Sequence, residues 1–323
     1  MKRTLLKTLL AAAVVALAGT ASAQTKLKWA HVYETSEPYH TESVWAAEEI
    51  KKRTNGKFEI QVFPASSLGK ETDINQGMGL GTIDMIISGP SFAARSYPRL
   101  GIAYYPFIFR DADHLLAYSK SPVFKEMIEG FRAKTGIQIL AYTYYGARHT
   151  TAQKPFNDCA GMKGIKIRVP DVPAYTATPK ACGANPTPIA FAEVYLALQN
   201  GTVEAQENPL TTIEAKKFFE VQKAIMLTGH IVDGLTTQVA PHIWSKLTDA
   251  EKKIFTDVAL EAAAKATDQI KKREAELVDE FKKKGLQVVT VNRKSFSDAV
   301  LKTSTVESMG FDKKDYDRIV AIK

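Results

Sequence analysis

One arginine, Arg168, sits near the end of the apolar stretch "GIKIRVP", where Ile165, Ile167 and Val169 alternate as one face of a half-buried strand. Pro170 follows at once, and a proline has no backbone N–H with which to extend a ladder. A guanidinium offers a planar fork that takes a carboxylate through two parallel hydrogen bonds, which an ammonium cannot reproduce. In an open α/β sheet, ligands bind beyond the carboxyl ends of the strands. One chemistry open to Arg168 is therefore capture of an organic anion. On the residues alone, the competing reading is a partner for a structural Asp or Glu.

Other chemistries find little support. The six histidines (His31, His40, His114, His149, His230, His242) form no HExxH array, and none stands beside a cysteine pair. Gly77, Gly79 and Gly81 follow a helical stretch and precede a strand, whereas a dinucleotide fingerprint follows a strand and opens a helix. There is no Walker A sequence. Ser91 in "GPSFA" lacks the second glycine of a nucleophile elbow. No enzyme signature survives, no cofactor is implied, and no metal site is expected. The only two cysteines, Cys159 and Cys182, form a candidate disulfide in an oxidising compartment, with two buried thiols as the alternative. A bridge over that span stabilises by about 3 kcal/mol in the chain-entropy model.

The elements that must position Arg168 are legible as an alternation. "LKWAHV", "KFEIQVFP" and "IDMIIS" read as strands, separated by helices at "PYHTESVWAAEEIKKRTNG" and around "KETDINQGMGLG". This β-α-β-α-β order argues for an α/β domain with a largely parallel sheet. "IQILAYTYYGARHTTAQKPF" leaves that unit near Gly146. A second α/β unit follows, with the strand "GIKIRVP", a helix at "PAYTATPKACG", the loop "ANPTPIAF", the helix "AEVYLALQNG" and the strand "TVEAQENP". Thr248 and Glu251 have capping-box spacing and Gly285 is placed as a stop, so 248–285 is read as one long helix of roughly 50 Å. Two helices with a break are the alternative.

The 323 residues, 45% hydrophobic, suffice for two domains. Lys2, Arg3 and Lys7, the short apolar run "LLAAAVVALA" and Ala21-Ser22-Ala23 together read as a cleaved secretory leader, residues 1–23. That run is too short for a membrane span, and no later stretch approaches one, so an integral membrane protein is not expected. The formal charge of +8 becomes +5 once the three basic leader residues are removed. Such a mild bias suits small anions and falls far short of a nucleic-acid footprint.

From 146 to 210 the chain is more specific. "GARHTT", "GMKGIKIRVP", "GANPTPIAFAEVYLALQNGTVEAQENP" and "FEVQKAIMLTGH" resemble the solute-binding proteins of tripartite ATP-independent periplasmic (TRAP) transporters. Weaker echoes in "TNGKFEIQVFPASSLGKE", "GTIDM" and "YPFIFRDADH" extend the likeness over most of the chain. The resemblance implies two α/β lobes closing on a ligand cleft, with a long helix spanning both. The expected lobes are residues 24–145 plus 234–273, and residues 146–233 plus 274–323. It assigns Arg168 to the ligand carboxylate, and Arg148 and Asn208 to further ligand contacts. Phe191 would be an apolar wall, and His31 and Glu71 would line the cleft from the opposite lobe. It implies a periplasmic receptor, not an enzyme, that hands a small carboxylate to TRAP membrane permease subunits. A periplasmic enzyme or a sensory receptor for a similar acid is the alternative.

Overall fold

The structure is a computed structural model that describes residues 24–323; the expected leader, 1–23, lies outside them. Among the described residues, nine strands form one continuous mixed sheet. In the first unit β1 (Thr25–Ala30) lies between β2 (Phe58–Phe63) and β3 (Met85–Ser88), parallel to both. The helix Pro38–Arg53 buries Tyr39, Ser43, Ala46, Ala47 and Ile50, the single stripe that its apolar spacing predicts. Ala46, Ala47 and Ile50 join Leu27, Trp29, Phe58 and Ile60 in one cluster, which fixes the sheet face. The glycines of the helix Glu71–Leu80 have packing reasons. A Cβ on Gly77 would lie 2.7 Å from Ile83 Cγ1, and Gly81 ends the helix at φ 75°.

Two long strands carry the chain between units. β4 (Gln138–Ala152) and β8 (Ala224–Val239) pair antiparallel along their whole length. β8 was not foreseen: it is buried at nearly every position and therefore shows no alternation. The centre of the sheet is thus antiparallel, and only the two flanks are parallel as expected. The β4–β8 register is irregular at three places, one of them between Tyr144 and Gly146, opposite Gly234 and Asp233. Gly146 has φ 129°, and a Cβ there would lie 2.6 Å from Pro209.

In the second unit β5 (Lys166–Val169) runs parallel to both β6 (Asn185–Pro188) and β7 (Ala205–Pro209). β6 was expected as loop. It forms a short edge strand, the one place in a sheet where Pro186 and Pro188 are tolerated. β7 also pairs antiparallel with β4, and the short β9 (Gln287–Val289) pairs parallel with β8. Cys159 and Cys182 are bonded, closing a loop that contains β5.

The helix Asp249–Lys283 is uninterrupted over 35 residues, about 52 Å at 1.5 Å per residue. Its capping box is formed, and Gly285 leaves it at φ 89°. Phe255, Val258 and Ala259 pack on the first unit's cluster, while Ile270, Leu277 and Phe281 join the larger core. One helix therefore braces both units. The C-terminal helix Lys313–Val320, counted with residues 146–233 in the sequence reading, makes contacts with residues from 99 to 126. Asp315 is buried against Arg99 (2.5 Å), and Arg318 pairs with Glu126 on the helix Pro122–Thr135. Among the described residues no helix is long and apolar enough to cross a membrane.

Candidate functional site

The two units meet over a small cavity. Tyr33, Glu71 and Phe92 line it from the first unit, and Arg168, Tyr175 and Phe191 from the second. Tyr145, Arg148, Asp233 and Leu235 contribute from the connecting strands, and Asn208 from β7.

Arg168 is 2% exposed and, among the described residues, forms no ion pair. Its Nε donates to the Ile189 carbonyl at 3.0 Å, while Nη1 is buried without any partner. Burial lowers its pKa to about 10, and Glu207 offsets only part of that. The strand explains the aim. Arg168 lies in register with Thr187 of β6 and Gln206 of β7, and Pro170, where β5 has ended, lines the same cavity. The Phe191 ring stands 5.9 Å from the guanidinium carbon. An unsatisfied buried guanidinium is costly, so an incoming carboxylate would gain its full fork.

Arg148, on β4, is equally buried and differently employed. Nε and Nη2 donate to the Glu207 carboxylate at 2.5 and 2.8 Å, and Nη1 donates to Asp233 at 2.9 Å. Nη2 also reaches the Glu207 carbonyl (2.8 Å) and Asn208 Oδ1 (3.2 Å). Burial pushes the Glu207 carboxyl up, but Arg148 and His230 together outweigh it and hold the group at about 2. Asn208 donates to Gln206 Oε1 at 2.6 Å. Arg148 and Asn208 thus reach the cavity wall as members of a polar cluster that is already largely paired.

Glu71 opens its helix and is held by Ser88 (2.7 Å) and the Gly89 N–H (3.2 Å), both on Oε1. Burial raises its pKa to about 7. His31 does not line the cavity. Its Nδ1 accepts from the Tyr33 N–H at 3.2 Å, and Nε2 lies 3.2 Å from His40. Burial, aided by His40, depresses its pKa to about 3, so it stays neutral. Tyr33, two residues on, supplies the cavity face instead.

Sequence reasoning passed over Tyr33, Tyr145, Tyr175 and Asp233. The signal for Asp233 was present: an acid inside the otherwise uncharged "AIMLTGHIVDGLTTQV", apart from a histidine, has no reason to be there unless paired or functional. Among the described residues no group of three or more His, Cys, Asp or Glu is placed to hold a metal ion.

Residues 29–306 match the model of the bacterial extracellular solute-binding protein family 7. The sialic acid-binding periplasmic protein SiaP of Vibrio cholerae is 30% identical over 298 residues, 92% of this chain and 93% of the relative. A TRAP periplasmic solute-binding protein of Polaromonas sp. JS666, solved with D-erythronate, superposes with a TM-score of 0.89 at 31% identity. That match covers 93% of this chain and 99% of the other. A second, from Bordetella, with density assigned to pantoate, has a TM-score of 0.87 at 32% identity, covering 93% and 100%. With its two-unit fold, interlobe cavity and bracing helix, this chain belongs to family 7 of the bacterial extracellular solute-binding proteins, the solute receptors of TRAP transporters.

Proposed function

We propose that the protein captures a small organic acid between its lobes, with Arg168 binding the carboxylate, and presents it to TRAP membrane permease subunits. The observation that carries this reading is the buried Arg168 guanidinium, free of any acidic partner and with Nη1 unsatisfied, on the wall of the interlobe cavity. Phe191 forms the apolar wall beside it, and Glu71 faces the ligand from the other lobe. Arg148 and Asn208 act chiefly by shaping the floor, and His31 supports Tyr33 from behind. The relatives solved with D-erythronate, pantoate and L-galactonate favour a hydroxylated acid.

The lobes divide where β4 and β8 are irregular, at residues 145/146 and 233/234, and the ligand closes them. Contacts already bridge the cleft: Arg95 with Asp171 at 3.0 Å, Lys216 with Glu34 at 2.6 Å, and Thr212 with Glu37 at 2.9 Å. A ligand touching both lobes favours the closed state by its extra affinity there. The leader 1–23 is cleaved on export to the periplasm.

A thermal-shift screen of carboxylates on the protein lacking residues 1–23, followed by calorimetry, tests the reading. Wild-type protein should bind at least one small acid at micromolar Kd, and Arg168→Ala should abolish that binding. Undiminished affinity in Arg168→Ala would overturn the assignment, and turnover of the bound acid would favour an enzyme.

A further inference from the structure

The cavity wall carries a second buried atom without a partner. Asp233, 1% exposed, accepts from Arg148 Nη1 at Oδ2, while its Oδ1 accepts no hydrogen bond of good geometry among the described residues. The Tyr104 hydroxyl lies close enough to Asp233 to favour its ionised form, but its single proton goes to the Gly234 carbonyl at 2.9 Å; the Tyr175 hydroxyl lies 3.4 Å from Ser91 Oγ. Buried polar atoms are nearly always paired, so an orphan on a cavity wall marks where the occupant completes the bond. The cavity therefore presents two complementary vacancies: a donor at Arg168 Nη1 and an acceptor at Asp233 Oδ1. They do not satisfy each other, as the two residues form no ion pair.

The charges decide what kind of molecule can bridge them. Among the described residues Arg168 and Arg148 are the only cations on this wall, and Arg148 is committed to Glu207 and Asp233. Lys216, above the Phe191 ring, is taken by Glu34. Among the described residues a second ligand carboxylate would find no unpaired cation on this wall besides Arg168 and would lie near the Asp233 carboxylate, and an unpaired buried anion is disfavoured. An alkyl acid would leave Oδ1 unpaired.

We propose that Asp233 Oδ1 accepts a hydrogen bond from a ligand hydroxyl, making the site selective for hydroxylated monocarboxylates over dicarboxylates and unsubstituted acids. The proposal rests on the receptor reading above, with the carboxylate on Arg168. It makes Asp233 a specificity residue as well as a partner of Arg148.

Calorimetry on the full receptor with matched acids tests it: D-erythronate against butyrate, L-galactonate against hexanoate, the three monohydroxybutyrates, and succinate. The expected result is binding of at least one hydroxy acid 100-fold or more tighter than its alkyl analogue and than succinate. The monohydroxybutyrates then locate the hydroxyl that Asp233 reads. Asp233→Asn should shrink the hydroxy-to-alkyl ratio tenfold or more. That ratio, unlike affinity itself, does not move if Asp233 merely supports Arg148. If Asp233→Asn fails to fold, the wild-type ratios decide alone. Equal binding of butyrate or succinate, still lost in Arg168→Ala, overturns this inference and leaves the receptor reading standing. An unchanged ratio in Asp233→Asn also overturns it. Failure of every acid to bind overturns both.

Discussion

Arg148 and Arg168 are both 2% exposed, both arise from strands, and both reach one cavity. Arg148 meets two carboxylates, a backbone carbonyl and an amide oxygen. Arg168 meets one carbonyl. Residue type and burial are therefore poor guides to role, and the balance of partners is a better one. A saturated buried guanidinium holds a fold together, whereas an unsaturated one waits for something. The pKa directions agree: Glu207 and Asp233 raise Arg148 well above its ordinary value despite burial, while burial pulls Arg168 down.

The strongest way to break this comparison is Arg148→Ala. It strands Glu207 and Asp233 as buried anions, and removing one partner of such a network costs about 3–5 kcal/mol. Melting should fall by on the order of 10 °C in the ligand-free protein. A drop of only a degree or two would mean that Arg148 is not the structural member of the pair. Reduction of the Cys159–Cys182 bridge, or Cys159→Ser with Cys182→Ser, removes the closure of the loop that carries β5. Denaturant unfolding should show a loss of about 3 kcal/mol. An intact denaturation midpoint would mean that the Arg168 arm is held by packing alone.

Arg168→Ala should act the other way round. Ligand affinity falls ~100-fold or more, since a charge-assisted bidentate contact contributes about 1.5–3 kcal/mol before desolvation is counted. The ligand-free melting temperature should stay within about 3 °C of wild type or rise, because a poorly satisfied buried charge has been removed. Arg168→Lys should lose most of the affinity as well, for a point charge cannot replace the fork. A large destabilisation of ligand-free Arg168→Ala would erase the distinction between the two arginines.

The sequence made one side of this comparison legible and not the other. Arg168 stood out because its setting is local, a charge at the end of an apolar strand stopped by Pro170, while its proposed role came from the family resemblance. The partners of Arg148 lie 59 and 85 residues away, on β7 and β8, and no spacing rule connects them. The same limit placed His31 in the cleft, although the turn after β1 sends Tyr33 there. The parallel flanks and the long helix were readable from periodicity and from the Thr248 capping box. β8 was not, because a strand buried on both faces has no alternation to detect. The packing of Lys313–Val320 was hidden for the reason that hid the Arg148 cluster: its anchor, Arg99, is 216 residues distant from Asp315.

The smallest expected effect concerns Glu71, which faces Arg168 across the cavity with Asp233 nearby. Burial raises its pKa to about 7, against the hydrogen bonds from Ser88 and Gly89. A bound carboxylate adds a negative charge and neutralises Arg168, so the Glu71 pKa rises further and binding takes up a proton around neutral pH. Because the complex holds the proton more firmly, affinity is highest below pH 7 and falls as pH rises through it. Between pH 6 and pH 8 we expect Kd to increase about fivefold, measured by calorimetry in buffers of different ionisation enthalpy to count the protons. Glu71→Gln, which cannot ionise, should flatten that dependence. Should affinity instead climb with pH, the ionised Glu71 would be accepting a hydrogen bond from the ligand. The two acids on the wall, Glu71 and Asp233, would then read the hydroxylated end together, opposite the arginine that reads the carboxylate.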